Sequence, residues 1–242
     1  MNKYIRTLTV TYDSKIGNNE IVGFRGAVIK ELGDTVDILY HNHEEGDKYR
    51  YSYPLIQYKK IRGNAAIVCI GNGVDVIGQF LSVNNKNINI YGKDISMKVL
   101  NAIPARLLIQ TWGRTFRYHI SRWIPLNAKN YRIYQSLDSN MERKEMLKKI
   151  LTGNLLSLLK GLDIHIEDNI IVEIDELSEP YLTTNKNIKM TTFNVDFTSN
   201  LTIPNYIGIG KNASIGYGTI HEIKKTDNEN LNSDNINTNK DE

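Results

Sequence analysis

Between Tyr4 and Tyr12 the apolar Leu8, Val10 and Tyr12 alternate with Thr7, Thr9 and Thr11, a two-residue period that predicts a first β-strand. Residues 24–32 read as a short helix. Beyond a polar loop, residues 51–60 and 65–70 read as two strands joined by the turn Arg62-Gly63-Asn64, and Pro54 places the earlier one near a sheet edge. Asn72-Gly73 opens a helix expected over residues 74–81, and residues 87–91 and 95–100 supply further strand. The order strand, helix, strand, strand, helix, strand is the split βαβ arrangement of a ferredoxin-like domain.

The second half repeats the theme less cleanly. Residues 105–109 and 118–124 look extended. Residues 142–159 carry Met146, Leu147, Ile150, Leu151, Leu155 and Leu158 at helical spacing. Residues 164–174, 190–198 and 219–223 read as strands. These elements predict an α+β chain with a first domain over residues 1–101, a boundary near 101–104, and a second domain over residues 102–225. Residues 226–242 hold six asparagines and almost nothing apolar, so an acidic, Asn-rich, disordered tail is expected there.

Charge changes the picture next. The chain of 242 residues carries +3 overall, but the tail alone carries −4, which leaves +7 on the body. Residues 95–137 contain seven bases and no acid, with Trp112, Phe116, Tyr118, Trp123, Tyr131 and Tyr134 threaded among Arg114, Arg117 and Arg122. That mixture suits a surface where phosphates are neutralised and unpaired bases stack on rings, and Arg114, Arg117 and Arg122 are the candidates for phosphate or stacking contacts. The single cysteine, Cys69, excludes an intramolecular disulfide and a multi-cysteine zinc site, and reads as a core residue. Met1-Asn2-Lys3-Tyr4 lacks the apolar block of a signal peptide and no apolar run reaches membrane-spanning length, so a cytoplasmic location is expected.

Gly208-Ile209-Gly210-Lys211-Asn212-Ala213-Ser214-Ile215-Gly216-Tyr217-Gly218 lies just before the last apolar run, and a strand rather than a helix follows it. The loop therefore differs from the glycine-rich turns that hold dinucleotide or triphosphate at a helix N-terminus. Its two Gly-x-Gly pairs, with Lys211 and Ser214 between them, let backbone approach an extended phosphate chain closely. A long hairpin loop whose glycines only supply positive φ is the alternative.

Together these residues resemble a known family. A tandem pair of ferredoxin-like domains, Phe24-Arg25-Gly26-Ala27, Tyr40-His41-Asn42-His43, the segment Tyr53-Pro54-Leu55-Ile56-Gln57-Tyr58-Lys59 and the 208–218 loop look like the CRISPR repeat-processing endoribonuclease Cas six, of the RAMP superfamily. The resemblance covers residues 4 to about 225. It implies cleavage of precursor CRISPR RNA within each repeat without a metal ion or cofactor, the ribose 2′-hydroxyl attacking the adjacent phosphorus to leave a 2′,3′-cyclic phosphate and a 5′-hydroxyl. CRISPR repeat RNA is then the partner, with other effector subunits as further partners and a monomer or homodimer as the assembly.

Such chemistry needs a base for the 2′-hydroxyl proton, an acid for the departing 5′-oxygen and cations for the charge growing on phosphorus. His43, followed by Glu44-Glu45-Gly46 as the family's histidine often is by a glycine, is the first candidate. His41 stands two residues away as its partner, Lys48 and Arg50 supply charge, and Tyr49 or Tyr51 donates or positions a hydrogen bond. Arg114, Arg117 and Arg122, with Gly208, Gly210, Lys211, Ser214, Gly216 and Gly218, are the expected RNA contacts. His119 is the next histidine candidate, and His165 and His221 read as structural or exposed. Two other classes stay open. One is a non-catalytic RNA-binding subunit of the same superfamily, the other a small-molecule-binding regulatory module on paired ferredoxin-like domains.

Overall fold

The computed structural model describes residues 3–32, 53–82, 87–185 and 187–224. The expectations for His41, His43, Lys48 and Tyr49, and for the 226–242 tail, fall outside these residues.

The first domain runs β1 (Lys3–Lys15), α1 (Ile21–Leu32), β2 (Ile56–Ile61), β3 (Asn64–Ile70), the short helices α2 (Gly73–Val76) and α3 (Gly78–Ser82), a small hairpin of β4 (Asn87–Ile90) and β5 (Lys93–Ser96), and β6 (Val99–Ile109). Its sheet order is β2-β3-β1-β6 with every pairing antiparallel. This is the ferredoxin-like order, with β6 as the fourth strand. One face of the sheet carries Val10, Tyr12, Tyr58 and Ile67 against Phe24 and Val28 of α1. Tyr12 and Tyr58 meet Phe24 edge-on at ring separations of 6.2 and 5.6 Å. The β2–β3 turn takes positive φ at Arg62 and Gly63, as a tight hairpin of this kind requires.

The second domain follows the same path with one element altered. β7 (Thr111–Trp123) leads to α4 (Ala128–Ser136) and α5 (Asn140–Gly161), then β8 (Val172–Leu177), β9 (Tyr181–Asn185), β10 (Ile188–Leu201) and β11 (Thr219–Glu222). The order β11-β7-β10-β8 is again ferredoxin-like, but the connection from β10 to β11 contains no helix. Residues 202–218, including the glycine-rich loop, take that helix's place. α5 begins at a capping box in which the Ser139 hydroxyl accepts from Glu142 N and the Glu142 carboxylate accepts from Ser139 N. Its Leu147, Leu151, Leu155 and Leu158 are fully buried against Trp123, Phe193 and Phe197.

Three expectations are corrected, and one helix is added. Residues 101–104 lie inside β6, where Thr9 faces Ile103 and Leu8 faces Pro104, so residues 105–109 complete the first sheet and the chain crosses to the second at Gln110. β6 is an edge strand, which is why a proline without an N–H is accommodated. Residues 74–81 form two short helices rather than one. Of residues 164–174 only those from Val172 onward pair in a ladder. The alternation of Ile164, Ile166 and Ile170 instead packs a loop beneath the C-terminal end of α5. Finally, α4 was not foreseen, although Asn127 caps it by accepting from Asn130 N at 2.8 Å.

Candidate nucleic-acid interface

The glycine-rich loop is a clasp between the domains. On the first domain's side, Tyr58 N donates to Ser214 O (2.7 Å), Lys59 Nζ donates to Ala213 O (2.7 Å), Gly208 N donates to Gln57 Oε1 (2.7 Å), and Tyr53 OH donates to Gly208 O (2.9 Å). Within the loop Ile209 N donates to Gly218 O, and on the second domain's side Gly218 N donates to Arg122 O, both at 3.0 Å. Two of the glycines are compelled by this packing. A Cβ on Gly208 would stand 2.5 Å from both Ala213 O and Lys59 Nζ, and one on Gly218, which has φ +59°, would collide with the Ile209 carbonyl. Gly208, Gly216 and Gly218 are buried, Gly210 and Ser214 are half-buried, and Lys211 is exposed.

Gln57 and Lys59 share one face of β2, and polar side chains on an edge strand are ordinarily solvated. The loop covers that face instead, and both residues are fully buried. With water excluded and the Arg122 cation nearby, burial pushes Lys59 down to about 7 from its ordinary 10.5. Burial pushes the Tyr53 hydroxyl up, so it remains a donor to Gly208 at any physiological pH. Gln57 completes the network, donating from Nε2 to Tyr53 OH at 2.9 Å and to Pro54 O at 3.0 Å.

The sequence-predicted arginines separate into three settings. Arg122 has φ +54° and lays its guanidinium over the Tyr217 ring, 4.2 Å from the centroid, which ties it to the loop. Arg114 is exposed and covers Phe116 at 4.9 Å, beside Trp112, whose indole N–H donates to Thr202 Oγ1 at 3.3 Å. Arg117 is engaged by acids, with Asp196 at 3.5 Å and Glu176 at 3.8 Å. Of the aromatics in the acid-free stretch, Tyr118 and Trp123 belong to the core, while Trp112 and Tyr131 are exposed.

Lys211 opens onto a cleft of about 840 Å³ between the domains whose lining also holds Lys160, Asn127, Asn154 and Ser157 and, among the described residues, no acid. Asn154 Oδ1 is fixed by Trp123 Nε1 at 2.9 Å.

A polar row on the face of the second sheet turned away from α5 runs Asp196, His119, His221 across β10, β7 and β11. His119 Nδ1 lies 2.5 Å from Asp196 Oδ1, and the two imidazole centroids are 5.0 Å apart. Burial, and then the neighbouring His119, push His221 down, with Asp196 opposing. Position alone flagged His119 in the sequence; its partners lie 77 and 102 residues away along the chain and were not visible. Among the described residues no group of three or more His, Cys, Asp or Glu is placed to hold a metal ion, and no helix is long and apolar enough to cross a membrane.

A family model of the Cas6b N-terminal domain matches residues 3–102, and one of the Cas6b C-terminal domain matches residues 110–223. The chain is similar to a crystal structure of Cas6b at 30% identity and a TM-score of 0.84, covering 91% of this chain and all of the other. A crystal structure of the CRISPR RNA processing endoribonuclease Cas6b is similar at 28% identity and a TM-score of 0.70, with the same coverage. An uncharacterized protein of Methanocaldococcus jannaschii is 41% identical over 106 residues, which are 44% of this chain and 71% of the relative.

Proposed function

The chain belongs to the Cas6b family, and from that premise we propose that it is an endoribonuclease that cuts precursor CRISPR RNA within its repeats, by 2′-hydroxyl attack and without a metal ion. The observation that carries the reading is the match of both domains, in series, to one RNA-processing family over nearly the whole chain.

In this reading His43 takes the proton from the 2′-hydroxyl as its oxygen bonds to phosphorus. His41 supplies the proton that leaves with the 5′-oxygen, and the P–O5′ bond breaks. Lys48 offsets the charge that builds on the non-bridging oxygens, and Tyr49 positions the phosphate. The products are a 2′,3′-cyclic phosphate and a 5′-hydroxyl. Lys211 and Arg114 are the exposed cations offered to the RNA backbone, and Trp112 an exposed ring for an unpaired base. With its glycines packed against protein, the loop contributes Lys211 and a rigid seat rather than bare backbone.

The test is end-group analysis of repeat RNA cut by the wild-type protein and by His43→Ala. A cyclic phosphate on the upstream product, with binding retained and cleavage lost in His43→Ala, supports the reading. A 3′-hydroxyl on that product, or RNA bound but never cut by the wild type, contradicts it.

A further inference from the structure

Arg122 is held in a way that its stacking on Tyr217 does not explain. Its Nη1 is buried and makes no hydrogen bond among the described residues, although a buried guanidinium donor ordinarily finds an acceptor. The residue lines a cavity of about 500 Å³ at the meeting of four elements: the residues entering α1 (Asn18, Asn19), the β4–β5 turn (Tyr91), β9 (Thr183, Thr184, Asn185), and the end of β7 with the glycine-rich loop (Arg122, Tyr217). Among the described residues the lining has one cation, several amide and hydroxyl side chains, and no acid.

Tyr91 forms the exposed wall. The residue is 72% accessible, and its ring lies across Gly23 of α1, where a Cβ would stand 2.7 Å from the ring, so α1 leaves room for it. It thus presents an aromatic surface toward solvent at the mouth of a cavity whose floor is cationic.

We infer that this interdomain cavity binds one unpaired nucleotide of the RNA, its phosphate on Arg122 and its base against Tyr91. A guanidinium with an unpaired donor matches a phosphate oxygen and is not lost to deprotonation. Asn and Thr side chains read the hydrogen-bonding edges of a base splayed out of a helix, and an exposed tyrosine gives it a stacking partner. The volume lies within the ordinary range of small-ligand sites of about 300–1,000 Å³. The inference rests on the RNA-processing reading and adds to it a second subsite, separated from the cleft at Lys211 and lined by no residue in common with it.

The experiment measures equilibrium binding of labelled repeat RNA across a salt titration for wild type, Arg122→Gln, Tyr91→Ala and Thr184→Glu. The expected result is about a tenfold loss of affinity in each, with the salt slope reduced by about 0.7 in Arg122→Gln as one single-strand phosphate contact is removed. Thr184 is exposed, so Thr184→Glu brings a negative charge to the cavity without disturbing the fold and decides the matter if Arg122→Gln does not fold. Wild-type affinity in Tyr91→Ala and Thr184→Glu overturns the subsite while leaving repeat cleavage standing. Absence of RNA binding by the wild type defeats the functional reading itself. Binding of adenosine monophosphate that Arg122→Gln abolishes, with RNA affinity unchanged in all variants, assigns the cavity to a free nucleotide and overturns the inference.

Discussion

Replacing Lys59 with methionine should stabilise the protein in acid and destabilise it in base. The Lys59 ammonium is fully buried, has among the described residues a single hydrogen-bond acceptor in Ala213 O at 2.7 Å, and lies near the Arg122 cation. Its pKa falls from 10.5 to about 7, so at pH values between these two the unfolded chain binds the proton and the folded one does not. Stability therefore rises with pH through that window, and the cost of the buried charge is complete below pH 7. At about 1.4 kcal/mol per unit that cost is roughly 5 kcal/mol at most. Methionine removes the cost but leaves the Ala213 carbonyl without its partner, a loss of about 1–3 kcal/mol. Lys59→Met should thus be more stable by roughly 2–4 kcal/mol at pH 6, with the difference shrinking from pH 7 and reversing to a deficit of about 1–3 kcal/mol near pH 10.5. Urea denaturation of both proteins at pH 6, 8 and 10 measures it. A variant less stable than wild type at pH 6, or a difference that does not change with pH, would refute the reasoning.

Gly218→Ala should lower stability by roughly 2–4 kcal/mol, since it combines positive φ with a collision at the Ile209 carbonyl; thermal denaturation checks it, and an unchanged Tm would mean that the clasp yields. Lys211→Glu should weaken repeat-RNA binding and flatten its salt dependence while leaving the Tm near wild type, because the side chain is exposed; binding isotherms at several salt concentrations report the slope.

The first domain was legible where local pattern and tertiary role agree. Leu8, Val10 and Tyr12 alternate with threonines over β1, and Arg62-Gly63 marks the turn that closes the β2–β3 hairpin. It was obscured where a distant segment changes a residue's surroundings. Gln57 and Lys59 look like a wet face until the loop from the far end of the chain covers them. The same cause hid the row of Asp196, His119 and His221, which only the register of three strands brings together. Ile164, Ile166 and Ile170 misled in the opposite direction, since alternation records which side is buried and not whether a ladder forms. The glycine spacing at 208–218 was visible and its place in the chain informative. The sequence could not tell whether those glycines admit a ligand or neighbouring backbone, because a missing Cβ serves either.

The most direct test of the account is cleavage of labelled repeat RNA by the wild-type protein under single-turnover conditions, with and without excess EDTA. The account predicts cutting at one position within the repeat, at the same rate in both, with a 2′,3′-cyclic phosphate on the upstream fragment. Cleavage that EDTA abolishes and added divalent metal restores would contradict it.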